Sequence, residues 1–371
     1  VPRELYVLQF GLGWVGSTLV EQILQQRTFF KERFNLTIHF IALMRRQGGI
    51  YRAEGFTPEE MKRALEAKRQ NKPITLEPNS MPMMAGRDLL GFVSPENFSG
   101  PLALIDATGA DELGRVIVAA LRKGINVVTA NKRPFAASFS EYQELIAAQE
   151  DSQARLMHET TVGGGLPILR ALRGLVYTGD AIEAIQGCLS GTNGFICSEL
   201  EQGRSLTDVV REAQAKGYTE ADPRQDLAGW DAARKAIILA RTMGLKIELN
   251  QVEMQGFVPA ETTPYIPEKF EAQIRSLDVT LAEKIDQAKQ DKKVPRFLAQ
   301  VSSSGCRVGL AFVEGESPVG RLSGPENIVV FKTMRYHKNP LIIQGPGAGP
   351  EVTAAGVLRD LLSIAGIHTD S

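Results

Sequence analysis

The chain has 371 residues, 43% hydrophobic and 23% charged, and its 42 basic and 43 acidic side chains leave a net charge of −1. At roughly 150 residues per domain this makes two domains with ample core, and it excludes a global field for nucleic acid or an anionic membrane. No apolar run reaches the roughly 20 residues of a membrane-spanning helix.

In chain order, Glu4–Phe10 predicts a strand, Val15–Gln26 a helix and Leu36–Met44 a second strand. Leu102–Thr108 and Ile125–Thr129 follow as strands, with helix Leu113–Lys123 between them. Apolar strands separated by helices imply a parallel sheet covered on both faces. Arg46–Ser99, polar and rich in Pro, Met and Asn, reads as a long surface excursion with one helix at Pro58–Gln70. From about Ala154 the pattern changes. Strands at Leu156–His158 and Ile182–Leu189 flank a helix at Leu166–Val176; helices at Gly194–Gln202, Leu206–Lys216 and Leu227–Met243 follow. Ser205 is an N-cap candidate with Asp208 at the capping-box position. Then come Val252–Phe257, a charged helix at Leu281–Asp291, strands Phe297–Ser302 and Val308–Val313, and an amphipathic tail helix, VTAAGVLRDLLSIAG.

Gly11-Leu12-Gly13-Trp14-Val15-Gly16 follows a strand and opens a helix, the context in which GxGxxG binds a dinucleotide. Its glycines allow a tight turn, close approach of backbone to a pyrophosphate and close helix–strand packing. The second strand runs into Arg45-Arg46 with no acid nearby. Two guanidiniums suit the 2′-phosphate of NADP better than the ribose hydroxyl of NAD, although a solvated basic strand end gives the same pattern. Thr108-Gly109 and Asn131-Lys132 follow further strands, at the carboxyl ends where an open α/β sheet binds ligands.

His158-Glu159-Thr160-Thr161-Val162 lacks the second histidine of a zincin, whereas a carboxylate before Gly163-Gly164-Gly165 can hold a hard cation. The densest charged segment is GYTEADPRQDLAGWDAARK, from Gly217 through Glu220, Asp222, Asp226 and Asp231 to Lys235. Asp231 and Lys235 share a helix face, where an exposed salt bridge explains the spacing. A lysine among carboxylates also suits a small zwitterion, and it can donate a proton to a developing alkoxide. Cys188, Cys197 and Cys306 have neither CxxC nor metal-ligand spacing, as free thiols in a reducing compartment would.

GYTEADPRQDLAGWDAARKAIILAR closely resembles the substrate-binding signature of the homoserine dehydrogenase family. FGLGWVG, TANK, HETTVGGGLPI, LSGTNGFI and GPGAGPEVTAAGVLRDLL match that family in the same order, over nearly the whole chain. The resemblance implies a Rossmann-type α/β nucleotide-binding domain over 1–153, and an α+β substrate-binding and dimerisation domain with a mixed sheet over 154–334. Residues 335–371 would return to the first domain.

It further implies cofactor contacts at Gly11, Leu12, Gly13, Trp14, Val15, Gly16, Thr108, Gly109, Lys132 and Gly349. Substrate contacts fall on Gly217, Glu220, Asp226, Asp231 and Lys132, and Lys235 matches the proton donor. A monovalent cation, sodium, would take Glu159 and the carbonyls of Val162, Gly164 and Leu166. The activity implied is reversible reduction of L-aspartate 4-semialdehyde to L-homoserine by a homodimer, NADP(H) being preferred over NAD(H), with no nucleic-acid or membrane partner. An aspartate-semialdehyde dehydrogenase would need a nucleophilic cysteine, and a non-catalytic NADP sensor would not need Lys132 or Lys235. The first residues, VPRELYVLQF, do not read as a signal peptide, so a cytoplasmic location is expected, or a plastid one if a transit segment was removed. No aspartokinase or ACT module is recognised.

Overall fold

The computed structural model describes residues 2–46, 48–72, 74, 86–259 and 264–367. They divide into two units, Val1–Gly165 with Gly349–Ser371, and Leu166–Ala348.

The first unit is built on β1 (Arg3–Phe10), α1 (Trp14–Phe34), β2 (Leu36–Arg45), β3 (Gly48–Tyr51), α2 (Pro58–Arg69) and α3 (Gly86–Phe92). β4 (Leu102–Asp106), α4 (Leu113–Arg122), β5 (Asn126–Thr129), α5 (Arg133–Ala136), α6 (Phe139–Glu150) and β6 (Leu156–Met157) complete its sheet and helices. The strand order is β3-β2-β1-β4-β5-β6, parallel throughout except that β3 runs antiparallel to β2. The chain order reverses on either side of β1, so the carboxyl ends of β1 and β4 form the crevice where such sheets bind ligands.

In the second unit, α7 (Ile168–Tyr177), β7 (Ile182–Cys188), α8 (Gly191–Glu201), α9 (Leu206–Ala215), α10 (Arg224–Ala228) and α11 (Trp230–Thr242) come first. β8 (Glu253–Gln255), α12 (Pro267–Gln290), β9 (Lys293–Ser302), β10 (Gly305–Glu314), β11 (Asn327–Thr333) and β12 (Leu341–Gly345) follow. The sheet is mixed, in the order β12-β11-β7-β9-β10-β8, with only the β8–β10 pair parallel. The closing helix, α13 (Pro350–Ile364), belongs to the first unit, where Ala354, Val357 and Leu361 join the core beside Leu19 and Ile23 of α1.

Four expectations change. The 46–99 segment is no mere surface excursion: β3 adds an edge strand, and α2 starts on a Thr57–Glu60 capping box and buries Met61, Ala64 and Leu65. The units divide at 165/166 rather than 153/154, because β6 still pairs with β5. They divide again at 348/349 rather than 334/335, because β12 pairs with β11. The helix expected over Leu227–Met243 breaks at Gly229 (φ +90°), where a Cβ would lie 2.6 Å from the Phe297 ring.

Candidate active site

Gly11 leaves β1 at φ +93°, and a Cβ there would fall 2.7 Å from the Ala107 carbonyl oxygen. A Cβ on Gly16 would fall 2.1 Å from the Gly11 carbonyl oxygen, so these two positions are closed by the protein itself. Gly13 is open, with no atom of the described residues within 4 Å of an added Cβ, and it caps α1 without any side-chain hydrogen bond. The 21-residue helix thus presents its first-turn N–H groups and positive dipole end beside a position kept bare, which fits a pyrophosphate. Leu12 is buried in the core, so only its backbone can serve a ligand, whereas Trp14 is 80% exposed and stacks with the Lys68 ammonium 5.1 Å from its ring. Val15 packs against the core from the first turn of α1.

The loop is stapled from beneath. Gln9, fully buried, donates from Nε2 to the carbonyls of Gly11 (3.1 Å) and Gly16 (2.8 Å), and Ser17 Oγ donates to Leu12 and Gly13. Arg45 ends β2 and donates from Nη1 to the Lys72 carbonyl; Arg46 is exposed in the turn that follows. Since Met44 pairs with Phe10, Arg45 at the end of β2 and Arg46 just after it stand at the level where β1 runs into the glycine loop.

Asp106, at the end of β4, accepts from Thr108 N (2.9 Å), Thr108 Oγ1 (2.7 Å) and Thr129 Oγ1 (3.3 Å). Burial pushes its carboxyl above the ordinary range, against hydrogen bonds from Thr108, Asn131 and Thr129 that favour the charged form. Asn131 donates to the Ala110 carbonyl and accepts from the Arg133 N–H, so it braces the loop after Thr108 and Gly109 against the start of α5, whose N-cap is Lys132. Space is open at Gly109.

The turn after β6 carries Glu159, 2% exposed, whose N–H donates to the buried Asp360 carboxylate of α13. Gly163 and Gly164 have positive φ, and a Cβ on Gly165 would lie 2.5 Å from the Val352 carbonyl oxygen. α13 therefore seats on this turn, starting from Gly349 at φ +114°. Val162 is fully buried, and Leu166, the first residue of the second unit, accepts from the Ile168 N–H.

In the second unit, Lys235 is 7% exposed, so the Asp231–Lys235 pair is not an exposed salt bridge. Its ammonium lies 2.7 Å from Asp231 Oδ2 and donates to the Leu189 carbonyl at 2.5 Å. One turn earlier, Asp226 accepts from the Glu220 N–H at 3.2 Å. Burial raises the Asp226 carboxyl above the ordinary range, and the charges of Asp231, Glu220 and Asp222 raise it further. Glu220 is exposed, and Gly217 ends α9 at φ +69°. The structure thus sets Asp226 among the charges of Glu220, Asp222 and Asp231, and pairs Asp231 with the buried Lys235 ammonium. A buried ammonium beside clustered carboxylates can bind a small zwitterion and deliver a proton to an oxygen.

Several residues of these sites escaped the sequence reading. Gln9 and Asp106 are polar residues in or at the end of apolar strand runs, and that interruption is the signal that could have marked them; Asn327 opens β11 after Pro325 and Glu326 and carries no such signal. Asn193 lies in the first turn of α8, capped by Ser190; it is buried and donates to the Asp226 carbonyl at 2.9 Å. All three thiols are buried: burial pushes Cys188 up to about 12 and Cys306 up to about 11, and raises Cys197 as well. None is set up as a nucleophile. Among the described residues no helix is long and apolar enough to cross a membrane.

A family model for homoserine dehydrogenase matches residues 167–362, and one for the NAD-binding domain of homoserine dehydrogenase matches residues 11–159. The chain is 38% identical over 295 residues to a homoserine dehydrogenase of Emericella nidulans, covering 74% of this chain and 80% of that protein. It is 34% identical over 353 residues to a bifunctional aspartokinase/homoserine dehydrogenase of Haemophilus influenzae, covering 95% of this chain but only 42% of that relative. The chain thus spans about two fifths of the length of the bifunctional relatives it matches.

Among solved structures, a Candida auris protein of unknown function superimposes with a TM-score of 0.85 at 29% identity, covering 98% of this chain and 99% of that one. A hyperthermophilic archaeal homoserine dehydrogenase in complex with NADPH gives 0.75 at 26%, covering 98% of each chain. With matched family models over both units and a relative covered across most of its length, the chain belongs to the homoserine dehydrogenase family.

Proposed function

We propose that the chain is an NADP-preferring homoserine dehydrogenase that interconverts L-aspartate 4-semialdehyde and L-homoserine, in the branch leading to threonine, methionine and isoleucine. The observation that carries this reading is the buried Lys235 ammonium held by Asp231 beside Asp226 and Glu220.

The glycine loop and the α1 N-terminus would hold the pyrophosphate, Arg45 and Arg46 the 2′-phosphate, and the Thr108–Gly109 loop with Gly349 the remainder of the nucleotide. A nicotinamide bound there would supply hydride chemistry at the aldehyde carbon. As that carbon is reduced its oxygen gains charge, and Lys235 donates the proton that makes the hydroxyl; Asp231 holds the ammonium for the transfer. Glu220 and Asp226 bind the substrate ammonium, and Lys132 orients the substrate and offsets charge on the oxygen.

Glu159, with the carbonyls of Val162, Gly164 and Leu166, would hold a monovalent cation, sodium, that stiffens this turn. The burial of Glu159 and the positive φ of Gly163 and Gly164 support the site. A homodimer formed through the sheet of the second unit, and a cytoplasmic or plastid location, complete the reading; Ile342 of β12, 43% exposed, is an apolar residue that such a dimer would cover.

The test follows NADP(H) absorbance with L-homoserine, with the semialdehyde, and with the semialdehyde plus phosphate. Turnover in the first two without any need for phosphate is expected. Failure to oxidise L-homoserine under any cofactor would overturn the reading. For the cofactor, Arg45→Ala with Arg46→Ala should weaken NADPH binding about 10- to 100-fold and leave NADH binding nearly unchanged.

A further inference from the structure

Asn327 opens β11 directly across from the end of β7, since Ile328 pairs with Cys188 and Leu189 comes next. Its side chain is completely buried, and Nδ2 donates to the Leu189 carbonyl at 3.4 Å. That same oxygen receives the Lys235 ammonium at 2.5 Å. A carbonyl oxygen has two lone pairs and takes both donors, which places the two nitrogens within about 6 Å of each other. The amide cannot turn away, because Gly347 abuts it so closely that a Cβ there would lie 2.2 Å from Nδ2. Among the described residues, none donates a hydrogen bond to Asn327 Oδ1. An amide sealed in place with one end unsatisfied costs stability, so packing alone does not account for it.

We propose that Asn327 is a positioning residue for the proton donor: by fixing the Leu189 carbonyl it fixes where Lys235 places its ammonium. This rests on the assignment of Lys235 made above. The Leu189 carbonyl belongs to the connection between β7 and α8, and a connection peptide with one donor would be freer to tilt and carry the lysine with it. Asn327 ties that peptide to the rigid sheet. Charged residues on the elements packed against Lys235's helix include Asp231, Arg234 and Arg241 on α11 itself, Arg224 and Asp226 on α10, and Arg307 and Glu314 on β10. Arg170 and Arg173 lie on α7, and Arg296 on β9 is committed to Glu201 and the Val319 and Gly320 carbonyls.

Two variants test the proposal in the full chain. Asn327→Asp puts a carboxylate within reach of the ammonium, which favours the charged lysine. Competitive acylation of Lys235 across a pH series, read by mass spectrometry without substrate, should show its midpoint moved up by about half a unit or more. Asn327→Ser fits the same space but its hydroxyl is too short to reach Leu189. It should lower kcat at least tenfold, with KM for homoserine and NADPH within about threefold of the original. Thermal melting confirms that each variant is folded. An unmoved acylation midpoint in folded Asn327→Asp overturns the proposal, and so does near-original kcat in folded Asn327→Ser. Because acylation needs no turnover, a protein inactive on homoserine would sink the functional reading while leaving this measurement decisive.

Discussion

Gly11 stands against Ala107 so tightly that a Cβ would fall 2.7 Å from that residue's carbonyl oxygen, while Gly13, two residues on, faces no atom of the described residues within 4 Å. The first glycine is required by the fold, and the second is free of that constraint, as the proposed pyrophosphate contact needs. Gly11→Ala should therefore destabilise the protein by about 1–3 kcal/mol, from a positive φ as well as the clash. Gly13→Ala should melt within about 1 °C of the original protein, since Gly13 has a φ of −67° that any residue adopts, yet weaken NADPH binding at least tenfold. Melting curves and a fluorescence titration separate the two effects.

Lys235→Ala removes the proposed proton donor, whose partners include Asp231 and the Leu189 carbonyl, and leaves the hydrogen bonds of Gln9 to Gly11 and Gly16 in place. The expected result is a kcat lower by about 10²- to 10⁴-fold with the NADPH dissociation constant within about threefold. Near-full turnover in this variant would remove Lys235 from the mechanism.

Asp226 has a carboxyl raised by burial and by the neighbouring charges of Asp231, Glu220 and Asp222. Over the interval between the ordinary aspartate range and that raised value, the folded state holds the proton more tightly than the unfolded state. Stability contributed by this group is therefore lost as pH rises through that interval and stays lost above it. Partial exposure screens part of the effect. Asp226→Asn should melt about 1–3 °C higher than the original protein at pH 7, a gain that disappears near pH 3, while its KM for homoserine rises. A variant less stable at pH 7 would contradict the sign.

The thiols give a simpler test. With Cys188 pushed up to about 12, Cys306 up to about 11 and Cys197 raised as well, none is appreciably ionised at neutral pH, and all are buried. Iodoacetamide at pH 7.5 should leave turnover of L-homoserine within about 10% of the untreated rate. Inactivation protected by the semialdehyde would instead point to a cysteine nucleophile.

Much of this was legible in the residue pattern because it depends on local periodicity and spacing. Apolar strand runs alternating with helices specify a parallel sheet, and GLGWVG between a strand and a helix specifies a tight glycine turn into that helix, since each needs only near neighbours in the chain. Spacing also put Asp231 and Lys235 on one helix face, but it could not say whether that face is wet. Tertiary packing decided that: Lys235 is buried, its ammonium shared between Asp231 and the carbonyl of Leu189, 46 residues away. The role of residues 46–99 was equally out of reach, because the apolar positions of α2 bury only when β1 and α1 stand behind them. Asn327 joins Lys235 only through pairing of β11 with β7, which no local pattern encodes. Sequence fixes what a segment can do alone; partners distant in the chain decide which groups lose water, and with it which charges matter.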